Sequence, residues 1–157
     1  MKKHYHIFSR FFAHTDGESS KNLSELAQYM AVFYFDMRTA HFHTQGKNFL
    51  ELHEYAQELY EQAEDYYDDL IETAISFNET VLPMFVTPGD NPPIGNYSNL
   101  TAMDTIGVMI NGVRTVYDYL ELIIKDVYPS FVYSKIDSML EWLDKQNYKL
   151  SQMSKEI

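Results

Sequence analysis

"NETVLPMFVTPGDNPPIGNYSN", residues 78–99, holds four of the five prolines in a chain of 157 residues. Proline has no amide hydrogen to give a helix or a strand ladder. The stretch therefore reads as a connection, and a long one for a compact domain. On both sides of it, apolar residues recur at spacings of three and four, the pattern of amphipathic helices. One series runs through Leu23, Leu26, Met30, Phe33, Met37 and Ala40, a second through Phe49, Leu52, Ala56, Leu59, Ala63, Tyr66 and Leu70. A third takes in Ile106, Ile110, Val113, Tyr117, Leu120 and Ile124, a fourth Ile136, Met139, Leu143 and Leu150. No segment sustains strand-like alternation. The predicted class is all-α, with four helices.

Boundary signals support this reading. "NLSE" at 22–25 and "NFLE" at 48–51 each set Asn at an expected N-cap with Glu three residues on, a variant of the capping box. "TAMD" at 101–104 opens the third helix in the same way. Gly46 supplies a stop between the first two helices, and Pro129 divides the third from the fourth. Gly107 and Gly112 each weaken the third helix by about 1 kcal/mol relative to Ala, so both are read as marks of close packing. Short links make helices one and two, and helices three and four, antiparallel neighbours. The long link, taken as 77–100, lets the chain cross from one end of a bundle to the other. A single crossover of this kind is the ferritin-like connectivity rather than simple up-down-up-down. Residues 1–157 are expected to form a single ferritin-like domain, with 1–20 as an N-terminal tail.

Composition narrows the function classes. Hydrophobic residues at 45% and charged residues at 22% are ordinary for a globular protein. No apolar run approaches the roughly 20 residues that span a membrane, and the start "MKKHYHIFSRFF" lacks the features of a secretory signal. The expected location is the cytoplasm. Absence of cysteine excludes disulfides, thiolate metal sites and cysteine nucleophiles. A net charge of −11 repels nucleic acid and suits cations. The basic tail around Lys2, Lys3 and Arg10 is able to touch DNA only through many copies acting together, so DNA is not the favoured partner.

Within "MRTAHFHTQGKNFLELHE", residues 37–54, His41 and His53 flank Gly46, and "YYDDLIET" at 66–73 follows with Asp68 and Glu72 one helical turn apart. Two carboxylates and two imidazoles make a donor set for a hard or borderline metal ion. They cannot all meet in one chain. His53 and Asp68 are fifteen residues apart on one helix, roughly 22 Å at 1.5 Å per residue. The histidines form one half-site and the acids another. Only a second, antiparallel copy can join them, and two-fold symmetry then creates two sites. The Glu-x-x-His pattern of bundle-core di-iron sites is absent, since Arg38, Ala40 and Leu50 stand three residues before His41, His43 and His53.

His41, Gly46, Asn48-Phe49, Leu52-His53-Glu54, Leu59-Tyr60 and Asp68 through Glu72 resemble the first two helices of the Dps family, the mini-ferritins named as DNA-binding proteins from starved cells. The likeness covers about residues 23–76 with unbroken spacing. It implies a ferritin-like subunit that oxidises Fe(II), typically with hydrogen peroxide, stores ferric mineral in a dodecameric shell and protects against oxidative damage. It also implies that His41 and His53 of one subunit, with Asp68 and Glu72 of its two-fold mate, form the catalytic, metal-binding ferroxidase centre. Iron is the expected metal, and zinc is able to occupy the same ligands.

The chain departs from the family pattern in several places. Phe42 stands where a Trp is common, Gln57 stands where an acid often serves a second iron, and the link "DVYPSFVYS" at 126–134 lacks the acidic run of many ion-entry pores. These departures favour an alternative in which the bundle is a non-catalytic scaffold with a vestigial or zinc-only site. His43 points away from His41 on a helix and is not expected to ligate jointly with it. Glu61 and Glu64 read as a solvated face. Most of the tyrosines and phenylalanines read as packing, with one or two of Tyr60, Tyr66 and Tyr67 expected near the centre.

Overall fold

The computed structural model describes residues 22–81, 99–123 and 128–157. Four helices appear: α1 (Leu23–His43), α2 (Phe49–Ser76), α3 (Ala102–Glu121) and α4 (Ser130–Met153). Among the described residues there is no strand, only an isolated bridge between Thr44 and Leu100. No helix among them is long and apolar enough to cross a membrane. The N-terminal tail, most of the crossover and residues 124–127 of the last link lie outside the described residues.

Local chemistry explains most of the helix ends. Asn22 Oδ1 accepts from the amide of Glu25 at 2.8 Å, capping α1 as the sequence predicts. Thr101 and Asp104 form a complete capping box at α3. The expected box at Asn48 does not form. Asn48 adopts a left-handed conformation (φ 65°), and its amide donates to Glu51 Oε2 at 3.2 Å instead of capping the backbone. Gly46, at φ 82°, is left-handed as well, and no neighbour lies near enough to crowd a Cβ there. Its glycine is needed for backbone conformation alone. Two left-handed positions so close together turn the chain sharply from α1 into α2.

Contacts at the ends of the helices fix their directions. The amide and hydroxyl of Ser24 bond to Glu79 and Thr80, just past the end of α2, at 2.8 and 2.6 Å. The chain before α3 pairs with the end of α1, through Gln45 N to Leu100 O at 3.1 Å and Leu100 N to His43 O at 2.9 Å. Helix α1 is thus antiparallel to both α2 and α3, and α2 and α3 run the same way. The end of α2 and the start of α3 therefore lie at opposite ends of the bundle, as the crossover read from the prolines requires. Tyr128 closes the arrangement at the start of α4, donating to Glu79 while accepting from the amide of Leu23. The Glu79 carboxylate sits at the amide-rich start of α1, where the helix dipole favours negative charge.

One buried cluster draws on all four helices, with Met30, Phe33 and Met37 facing Leu59, Ala63, Met109, Val113, Met139 and Leu143. The buried face of α3 is broader than its apolar repeat implies, because Thr105, Met109, Gly112, Val116 and Tyr119 are buried too. Trp142 packs edge-on against Phe33 and Tyr66. Gln146 accepts from the Tyr55 hydroxyl at 2.7 Å, satisfying a buried polar pair between α2 and α4.

The two helical glycines of α3 part company. A Cβ on Gly112 would lie 2.9 Å from Phe33 Cδ2 and 3.0 Å from Met37 Cε, so α1 and α3 approach closely there. At Gly107 nothing lies within 4 Å, and the expected close packing is absent. Gly112→Ala should cost about 1–2 kcal/mol, overpacking outweighing the gain in helix propensity. Gly107→Ala should stabilise by up to about 1 kcal/mol. Denaturation midpoints of the two variants check this pair of opposite signs.

Candidate metal centre

The turn at Gly46 and Asn48 brings the end of α1 against the start of α2, and His41 meets His53. Their rings stack with centroids 3.6 Å apart and planes 23° off parallel. Each ring bonds the other residue's backbone, with His41 Nδ1 on the carbonyl of His53 at 2.9 Å and His53 Nδ1 on the carbonyl of His41 at 2.8 Å. A carbonyl oxygen only accepts, so each Nδ1 carries the proton. In its neutral form each ring is therefore the Nδ1–H tautomer, with the Nε2 lone pair left free. A backbone partner of this kind is what orients a metal-ligating histidine and fixes its tautomer. The His41 carbonyl belongs to the last turn of α1, so the bond from His53 also satisfies a group that has no partner within its own helix.

Aromatic side chains frame the pair. Phe49 stacks on the His53 ring at 5.1 Å. Phe42 and Tyr60 stand edge-on to His41 at 5.1 and 5.4 Å. His41 is buried at 8% exposure, whereas Phe42 beside it is 63% exposed. The imidazoles thus sit beneath an apolar surface that opens to the outside of the bundle.

Asp68 and Glu72 lie far along α2, both exposed and neither in an ion pair among the described residues. Asp69 behaves differently. It binds Lys135 of α4, which also reaches Thr73 Oγ1 at 3.2 Å. Adjacent carboxylates therefore divide the work, Asp69 fastening α2 to α4 and Asp68 remaining free. Among the described residues, no three His, Asp or Glu side chains converge to hold a metal ion. The structure brings His41 to His53 and leaves Asp68 and Glu72 apart from them.

Helix α2 contains Glu51, Glu54, Glu58, Glu61, Glu64, Asp65, Asp68, Asp69 and Glu72 and no lysine or arginine. All but Asp69 are exposed, which gives the helix a strongly negative outer face. Gln57 donates to Glu61 at 2.7 Å and presents an amide where an acid would be the stronger cation ligand. His43 is exposed. Of the tyrosines, Tyr60 touches His41, Tyr66 packs on Trp142, and the Tyr67 hydroxyl is pushed up by burial and by Asp68.

Two residues of this region escaped sequence reasoning. Arg38, one turn before His41, lies with its guanidinium carbon 4.9 Å above the Tyr60 ring, 5.4 Å from Phe42 and 5.5 Å from Tyr34. Its i−4 relation to Tyr34 and i+3 relation to His41 were the available signals. Asp36 is a lone acid in the apolar run "AVFYFDM", and burial pushes its carboxyl up to about 7.

No protein-family model matches the chain, and no curated protein matches it in sequence. Solved structures do match. Dps from Staphylococcus aureus is 21% identical with a TM-score of 0.69, covering 84% of this chain and 93% of its own. Antigen TpF1 from Treponema pallidum is 15% identical with a TM-score of 0.71, covering 85% and 90%. The DPS protein from Vibrio cholerae O1, described as one of a broad superfamily of ferritin-like diiron-carboxylate proteins, is 20% identical with a TM-score of 0.59, covering 83% of each chain. Each superposition covers more than four fifths of the chain at a TM-score of 0.59–0.71: the chain has the ferritin-like four-helix fold of the Dps proteins.

Proposed function

We propose that the chain is a Dps-like ferroxidase and iron-storage protein, taking Fe(II) as substrate at centres shared between two antiparallel copies. The observation that carries this reading is the histidine pair. Two tautomer-locked imidazoles offer free Nε2 atoms in a chain whose own Asp68 and Glu72 stand roughly 22 Å or more away along α2. An antiparallel mate brings Asp68 and Glu72 of the partner subunit to His41 and His53, twice per pair. Carboxylate oxygen with imidazole nitrogen suits iron, and the acidic face of α2 draws cations toward the site. The diiron-carboxylate description of one structural neighbour supports the same chemistry.

Peroxide is the proposed oxidant. Two Fe(II) each give one electron, the O–O bond breaks, two protons are taken up, and the products are two Fe(III) and two waters. Because two electrons go to each peroxide, no hydroxyl radical is released. Gln57, held by Glu61, lacks the charge to hold a second iron tightly, so the proposal is one firmly bound iron per site, with the second electron given by a second Fe(II) held loosely beside it. Larger assembly into a shell that encloses ferric product belongs to the same reading.

Fe(II) loss under peroxide, followed for wild type and for Asp68→Ala/Glu72→Ala, tests it. Removal of both ligands should slow the reaction on the order of 100-fold. Equal rates in the two proteins would end the proposal. Gln57 and Phe42 favour a second reading, an assembly scaffold with no oxidase activity. Solution mass with metal analysis separates the two, since a metal-free or zinc-only dimer without Fe(II) turnover supports the scaffold.

A further inference from the structure

Arg38 has no ion-pair partner among the described residues, whose two ion pairs are Lys135–Asp69 and Lys145–Glu141. It is nevertheless held firmly. Nη1 donates to the Tyr34 hydroxyl at 2.9 Å, and the guanidinium lies over the rings of Tyr34, Phe42 and Tyr60. Phe42 and Tyr60 are the same rings that flank His41. A planar cation fixed against aromatic faces has lost most of its freedom in advance, so pairing with a carboxylate costs little further ordering.

We infer that Arg38 pairs with Glu64 of the partner subunit and sets the register in which the two half-sites meet. The inference rests on the antiparallel pairing proposed above. His41 stands level with His53, and Arg38 lies one turn nearer the middle of the bundle, with its guanidinium reaching over the Tyr60 ring. In an antiparallel mate whose Asp68 and Glu72 reach the histidines, one turn toward the middle from Asp68 is Glu64, on the same helix face. Glu64 is exposed and in no ion pair among the described residues. Charge complementarity extends along the surface. The late part of α1 and its turn carry Arg38 and Lys47, while every Asp, Glu, Lys or Arg of α2 from Glu51 to Glu72 is an acid. A slip of one helical turn would remove the Arg38 contact and the metal ligands together, which makes Arg38 a positioning residue.

Charge reversal tests the register. Arg38→Glu alone sets two acids against each other, and Glu64→Arg alone sets two cations against each other. Each should weaken self-association roughly 100-fold, about ten-fold for each of two symmetry-related contacts. An equimolar mixture of the two variants forms only attractive pairs and should associate, as should the chain carrying both changes. Sedimentation of the singles, the mixture and the double reads this directly. Single variants that associate like wild type, or a folded mixture that stays apart, overturn the inference. The milder Arg38→Gln and Glu64→Gln provide a second measure that does not risk unfolding. Each should weaken association equally and the combination no further, whereas additive effects overturn the pairing. A wild type that oxidises Fe(II) despite additivity removes only the Arg38 contact; one that neither associates nor oxidises removes the antiparallel arrangement itself.

Discussion

Two inactive variants mixed together should recover about one quarter of wild-type Fe(II) oxidation, if the centre spans a two-fold axis. One variant is His41→Asn/His53→Asn and the other Asp68→Ala/Glu72→Ala. Asparagine is chosen because its amide can donate to the carbonyls that the two Nδ1 atoms now occupy. Alanine would instead leave the His41 carbonyl without the bond it receives from His53, at a cost of about 1–3 kcal/mol. What asparagine lacks is a donor atom at the Nε2 position, so bonding between the helices is kept and the metal ligands are lost. Random reassociation makes half of the pairs mixed. In each mixed pair, one site joins intact histidines to intact acids and the other has neither. One active site in two, in half of the pairs, is one quarter. A centre built within a single chain predicts no recovery, because every chain in the mixture lacks one half. Initial rates after dissociation and joint reassembly decide between the two outcomes, and a mixture as inactive as its components would sink the shared centre.

How far the sequence carries this structure depends on the kind of interaction. Four helices were readable because burial imposes a period of three and four on the apolar residues. The crossover was readable because prolines in 78–99 exclude a continuous helix, and the structure confirms it through the parallel course of α2 and α3. Asn48 defeated the same reasoning. Asn serves both as an N-cap and as a left-handed turn residue, and nothing in "NFLE" says which role wins. Gly107 and Gly112 look alike in a helical window, and only the position of Phe33 and Met37 on α1 separates them. At the site, residue types and spacing pointed to His41 and His53. Their reciprocal bonds to backbone carbonyls were invisible, because a carbonyl belongs to every residue. Arg38 was hidden for a related reason, since its ring partners come from two helices whose register the sequence alone does not specify.

Replacing Asp36 by Asn should stabilise the chain at pH 8 by about 2 kcal/mol and leave its stability near pH 4 unchanged. Burial alone pushes the Asp36 carboxyl from an ordinary value near 3.8 up to about 7. Between those values the folded chain keeps a proton that the unfolded chain has lost, so stability falls as pH rises through the window and levels off above it. Three pH units at 1.36 kcal/mol each give a ceiling of about 4 kcal/mol. Asp36 keeps part of its surface in water, so roughly half of that is expected. Asparagine has nearly the same shape and no charge to desolvate. For a chain of this length the gain corresponds to a rise in melting temperature of about 4–8 °C at pH 8. Melting curves of both proteins at pH 4, 6 and 8 should diverge steadily with pH, and a constant gap would contradict the assignment. Asp36 lies more than one helical turn from His41, outside the candidate centre, so the stabilised variant should retain its Fe(II) oxidation. That separation of effects is informative about α1 as a whole: a destabilising carboxylate and a histidine proposed as a metal ligand share one helix, yet only the histidine is needed for the proposed chemistry.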